Sequence, residues 1–135
     1  MVLLAIAAPL VSTAGLSSGL LPRQCSTPLW YLLLLAPFWE ETFFRGALQR
    51  RMMRLNWGGY RFAGLTAATW FTGTLFVLVH LPFQGVKGIL IVIPALALGR
   101  LFEEYDEIIP CILLHGWFNL CWLAATYLVP LSGYA

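Results

Sequence analysis

The segment LWYLLLLAPFWEETFFRGALQRRMMR, residues 29–54, decides how the chain is read. An apolar run from Leu29 to Trp39 passes directly into Glu40, Glu41 and Arg45, then turns basic at Arg50, Arg51 and Arg54. Nothing ends the helix before Trp57-Gly58-Gly59, so it reads as one long helix whose last two turns stand outside the hydrocarbon. The rest of the chain agrees with a bilayer setting. Of 135 residues, 60% are hydrophobic and 10% charged, and the mean hydropathy is +0.80. A soluble domain averages about 25% charged residues, and a chain this apolar does not stay solvated as a disordered one. Eight Lys and Arg against six Asp and Glu make no basic face for nucleic acid.

At about 20 residues per helical crossing, the chain is expected to form a single all-α domain over residues 1–135, a polytopic transmembrane helix bundle of four to five spans. The spans are read at 2–21, 29–56, 62–81, 86–102 and 108–131. The first lacks the basic residues that open a signal peptide. Pro82-Phe83-Gln84-Gly85 is expected to stop the third, turning back before the far surface. Glu103, Glu104, Asp106 and Glu107 read as a solvated loop after the fourth, and Pro110 falls in the first turn of the fifth, where a helix tolerates it. Arg50, Arg51, Arg54, Arg61 and Arg100 gather on one side, Arg23 and Lys87 on the other, which puts the Gly58-Gly59 turn in the cytoplasm. Cys25, Cys111 and Cys121 form no C-x-x-C pair and read as structural, small apolar side chains. Trp57, Trp70, Trp117 and Trp122 read as core or interface aromatics.

Ionisable groups within a bilayer are costly, and those that occur usually face a bundle interior or aqueous cavity and serve a function. Glu40, Glu41, Arg45, His80 and His115 stand out, with Asn119 beside the last. Glu40 and His80 are nearly equidistant from the Gly59-Tyr60 turn, so antiparallel helices bring them to one level as candidates for direct contact. Glu40 lies about 15 Å inside Arg50, and His115 and Asn119 about 12 and 18 Å inside Glu107. Glu41 and Arg45 are one turn apart in the favourable acid-first order, an arrangement that also suits a purely structural clasp. Glu40 is turned about 100° from that pair and left to address His80. His115 and Asn119 share a face with Gly116 beside them, and Phe76 can brace the His80 ring.

The set Glu40-Glu41-x-x-x-Arg45, Phe76-x-x-x-His80 and His115-x-x-x-Asn119, on separate spans in that order, resembles the motifs of the CPBP family. These are membrane proteases related to type II CAAX prenyl endopeptidases, also called glutamic intramembrane endopeptidases. The resemblance runs from about Pro37 to Leu120 and includes the neighbouring FFRG, LVHL and LLHGWFN. It implies Glu40 as the base that activates water, His80 as the residue positioning that water, and His115 and Asn119 as oxyanion donors. Glu41 and Arg45 would hold the helix and tune Glu40. Peptide hydrolysis needs such a base and such preorganised donors. Two His and a Glu also make a catalytic zinc set, but no H-E-x-x-H is present and His-x-x-x-Asn suits an oxyanion site better. No cofactor or metal is therefore expected, with zinc the less favoured alternative.

The expected function is hydrolysis of a peptide bond in a membrane-associated or hydrophobic C-terminal segment by an integral, multi-pass protein of a prokaryotic inner membrane. A turn at Pro82 to Gly85 within the membrane must line water or be buried in protein, which points to a cavity wetted from the side opposite the basic loops. Prenylated CAAX tails are cytoplasmic and do not suit such an opening. The expected partners are a membrane protein or peptide substrate and the lipid bilayer, and a homodimer completing the cavity wall is compatible with so few spans. Two other functions compete: a non-catalytic protein of the same fold, such as a bacteriocin-immunity or partner-binding factor, and a proton relay through Glu40 and His80.

Overall fold

The computed structural model describes residues 28–128 and is built almost entirely of helix. The expected first span, 2–21, and Cys25 lie outside the described residues. Helix α1 occupies 31–53 as four contiguous pieces: Tyr31–Leu35 in π geometry, Ala36–Glu41 in α geometry, Thr42–Gln49 again π, and Arg50–Met53 α. It ends at Met53, three residues earlier than the sequence suggests, in a run of turns that carries Trp57 and Gly58. A small antiparallel hairpin follows, β1 (Arg61–Phe62) paired with β2 (Leu65–Thr66), Arg61 opposite Thr66. Its tight turn places Ala63 and Gly64 at positive φ.

Helix α2 spans Ala67–Gln84, with Thr66 at its N-cap accepting from the Thr69 amide. The expected stop at Pro82 is corrected: the helix runs through this proline and ends only at Gly85, whose φ of 58° glycine alone adopts without strain. A 3-10 stretch, Gly85–Ile91, leads into α3, Val92–Tyr105. α3 therefore swallows the first part of the acidic cluster read as a loop and stops at Asp106, which takes a left-handed conformation. α4, Ile108–Leu128, follows at once.

α2 packs on α3, α3 on α4, and α4 returns to α1. Small residues set the crossings, as they do where lipid supplies no hydrophobic drive between helices. A Cβ at Gly116 would lie 2.3 Å from the Leu33 carbonyl oxygen, so α4 meets α1 backbone to backbone. Gly99 leaves room on α3 for the Thr69 and Gln49 side chains. Phe44, Phe76 and Ala95 form one buried cluster and Leu98, Phe102 and Cys111 another. Cys111 is buried as expected, whereas Cys121 is exposed.

Among the described residues one helix, over Ile108–Ala125, is long and apolar enough to cross a membrane, with mean hydropathy 1.6. α3, at 14 residues, rises only about 21 Å, short of a hydrocarbon core about 30 Å thick. α1 is long but charged along its second half.

Candidate active site

α1 presents Glu41, Arg45 and Gln49 as one stripe at four-residue spacing, and all three are buried. Arg45 Nε lies 3.2 Å from Glu41 Oε2, while its Nη2 donates to the Ala95 carbonyl of α3 at 2.9 Å. Gln49 Nε2 donates to Thr69 Oγ1 at 2.8 Å and to the Gly99 carbonyl at 2.9 Å. Two long side chains on α1 thus grip two backbone carbonyls one turn apart on α3. Gln49 was not singled out from the sequence, although its place four residues after Arg45 was the available signal.

The other oxygen of Glu41 accepts from His115 Nδ1 at 2.7 Å. A carboxylate only accepts, so the proton sits on Nδ1, and His115 Nε2 is directed toward Glu40, 3.7 Å from Oε2. Besides Arg45, Glu41 therefore holds His115. Carboxylates about 100° apart on α1 can both address one imidazole because its two nitrogens point in different directions. One Glu40 oxygen, Oε2, is thus turned toward His115.

His80 is buried on α2, and its Nδ1 donates to the Phe76 carbonyl one turn back at 2.7 Å. Only a donor can face that carbonyl, so Nε2 of the neutral ring carries the free lone pair. Phe76 braces this ring, as the spacing suggested: the centroids are 4.4 Å apart at 30°. Phe76 also meets His115 edge-on at 6.0 Å and lies under the Arg45 guanidinium at 5.2 Å. Asn119, one turn beyond His115, donates one Nδ2 hydrogen to the Leu32 carbonyl of α1 at 2.9 Å. An amide has two such hydrogens, so one is left for another acceptor. The close approach at Gly116 makes this bond reachable.

His80, His115 and Asn119 line a cavity of about 310 Å³ bounded by α2, α3 and α4. Its remaining wall is apolar apart from Gln84, with Phe76, Leu98, Phe118 and Trp122 prominent. Among the described residues no three His, Cys, Asp or Glu side chains are gathered to hold one metal ion. Both imidazoles have committed Nδ1, to Phe76 and to Glu41.

The family model for type II CAAX prenyl endopeptidase Rce1-like proteins matches residues 23–121. The chain belongs to that family. No curated protein and no solved structure matches the chain. The Rce1-like match spans all three motifs and bears out the resemblance drawn from them. It places the chain among membrane-embedded proteases.

At the basic end, Glu103 corrects a second expectation. Its carboxylate is buried, not solvated: Oε1 accepts from the Thr66 amide and hydroxyl, both at 2.8 Å, and from the Thr69 hydroxyl. Oε2 faces Arg61 at 3.4 Å and Arg100 at 3.6 Å. Burial alone would push this carboxyl up, but the hydrogen bonds from Thr69 and Thr66, helped by Arg61, outweigh it and hold it below the usual carboxylate range. It ties the start of α2 and the hairpin to the end of α3.

Proposed function

We propose that this protein is a glutamic intramembrane endopeptidase that cleaves a membrane-associated or C-terminal hydrophobic segment. It works as a multi-pass protein of a prokaryotic inner membrane. The observation that carries the reading is the meeting of three helices: His80, His115 and Asn119 share one cavity, and the Glu40 carboxylate stands 3.7 Å from His115 Nε2. Burying so many polar groups at one point is costly unless they serve a function.

Water sits between the Glu40 carboxylate and His80 Nε2. Glu40 takes one proton, while the His80 lone pair accepts a hydrogen bond from the other O–H and aims the oxygen at the peptide carbonyl. As the C–O bond forms, the carbonyl oxygen becomes an oxyanion. The second Asn119 N–H supplies a hydrogen bond to it, and His115 adds one from Nε2 as the imidazolium, its Nδ1–H still held by Glu41. Glu40 then returns its proton to the leaving nitrogen as the C–N bond breaks. The gap of 3.7 Å between Glu40 and His115 is too long for a direct hydrogen bond and is of the kind that tightens around bound substrate.

The test is a panel of reconstituted variants assayed on candidate membrane peptides. A peptidase loses cleavage with Glu40→Gln, His80→Ala, His115→Ala and Asn119→Ala alike. A partner-binding protein keeps its function in Glu40→Gln, and a proton relay keeps it in Asn119→Ala.

A further inference from the structure

Thr69, in the first turn of α2, joins three helices through one hydroxyl. Its Oγ1 accepts from Gln49 Nε2 of α1 at 2.8 Å, and its O–H donates to Glu103 Oε1 of α3. The charge at one end fixes the direction of both bonds. A carboxylate only accepts, so Thr69 gives its proton to Glu103, and a lone pair of the hydroxyl then takes an N–H from α1. Gln49 therefore presents its amide nitrogen to Thr69, and the second hydrogen of that nitrogen goes to the Gly99 carbonyl of α3 at 2.9 Å. Gln49 and Thr69 are both fully buried, a setting in which hydrogen bonds aligned in one direction strengthen one another.

The proposed chemistry depends on the register of two of these helices. Glu40 stands nine residues before Gln49 on α1, and His80 eleven residues after Thr69 on α2. The Gln49–Thr69 bond is thus a common origin, from which the two rise the same way by roughly 13 and 16 Å. Between that junction and the site, α1 meets α2 through aromatic rings, with Phe44 and Phe76 4.8 Å apart in an edge-on contact. Ring contacts hold over centroid separations of about 4.5–7 Å, so they permit one helix to slide along the other. A hydrogen bond does not, since its N–H···O distance lies within about 2.7–3.2 Å.

We infer that Gln49 and Thr69 are positioning residues: the directed chain Gln49–Thr69–Glu103 sets the register of α1 against α2, and with it the spacing of Glu40 and His80 across the reacting water. The inference rests on the peptidase reading for calling that water reacting. Neither residue touches the substrate. Each acts through the helix it holds, and a slip of about 1 Å at the junction reaches the site undiminished, where such a misplacement costs up to about 10²-fold in rate.

The test uses the full chain reconstituted in vesicles. Thr69→Val keeps the shape and removes the hydroxyl, and Thr69→Ser keeps the hydroxyl. Gln49→Met removes the amide from the other side and leaves the Thr69–Glu103 bond in place, so it carries the test alone should Thr69→Val fail to fold. Thr72→Val is the matched control, because Thr72 is also buried on α2 but donates to the Ala68 carbonyl of its own helix at 2.9 Å. Spin labels at Trp39→Cys and Leu78→Cys, both exposed positions, read the register of α1 against α2 without turnover; Cys25→Ser and Cys121→Ser clear the background, and Cys111 is buried. Thr69→Val and Gln49→Met should each shift or broaden the distance between the labels and lower kcat by about 10–10²-fold, with KM unchanged. Thr69→Ser and Thr72→Val should match the wild type in both. An unmoved distance, a shifted distance with kcat intact, or an equal loss of kcat in Thr72→Val overturns the inference. The expected shifts in a protein whose wild type cleaves no membrane peptide leave the register assignment standing and remove the peptidase reading instead.

Discussion

His115 on α4 donates through Nδ1 to Glu41 on α1 at 2.7 Å, and Glu41 in turn holds Arg45, so the second glutamate of the pair orients a histidine that stands beside the first. The carboxylate is 0% exposed and the guanidinium 1%. Removing one partner of such a pair strands the other charge, at a cost of about 3–5 kcal/mol. Glu41→Gln and Arg45→Met should each lower the thermal midpoint in detergent markedly. Glu41→Gln should also impair cleavage in whatever protein remains folded. A stable, fully active Glu41→Gln protein would show that the pair is neither clasp nor orienting device.

Gly116 tests the α1–α4 contact that delivers Asn119. Its Cβ would meet the Leu33 carbonyl at 2.3 Å, and backbone cannot give way as a side chain can. Gly116→Ala should cost about 1–3 kcal/mol by overpacking and loosen the Asn119 bond to Leu32. Gly59→Ala, where a Cβ meets nothing within 4 Å, is the matched control and should be neutral in thermal unfolding.

Asn119→Ala should slow cleavage by about 10²–10³, the usual cost of one oxyanion donor, with most of the loss in kcat. Steady-state kinetics separate this from a binding role, which would raise KM and leave kcat in place.

Glu103 gives the fold a defined acid limit. Its carboxyl titrates below its unfolded value of about 4.3, so the stability it contributes is complete above that pH and is lost as pH falls through the lower folded value. Thermal midpoints measured from pH 6 to pH 3 should fall steeply in the wild type and less steeply in Glu103→Gln. That variant should also be the less stable one at neutral pH. Parallel pH profiles would contradict the assignment.

Exhaustive chelation should leave cleavage intact, since the proposed base is Glu40 and, among the described residues, no three His, Cys, Asp or Glu side chains are gathered to hold a metal ion. Loss of activity that zinc restores would contradict this.

The sequence carried the site further than it carried the fold. Spacing alone paired Glu41 with Arg45 and put Phe76 against His80, because contacts one helical turn apart are local. Contacts between helices were less legible. That Glu41 reaches His115 depends on how close α4 comes to α1, which Gly116 decides and periodicity does not show. Pro82 read as a stop because a proline lacks the amide that bonds the preceding turn, although the helix continues through it to Gln84. The acidic cluster read as solvated because Glu103 finds its partners in Thr66 and Thr69, far away in the chain and neutral, so no charge pattern announced them.

The most direct measurement of the central claim is single-turnover cleavage of one membrane peptide by wild type and Glu40→Gln, each reconstituted and each with the same thermal midpoint. Loss of the base should slow the cleavage step by about 10²–10⁴ without weakening peptide binding. Cleavage by Glu40→Gln at the wild-type rate would contradict the assignment of Glu40 as the residue that activates water.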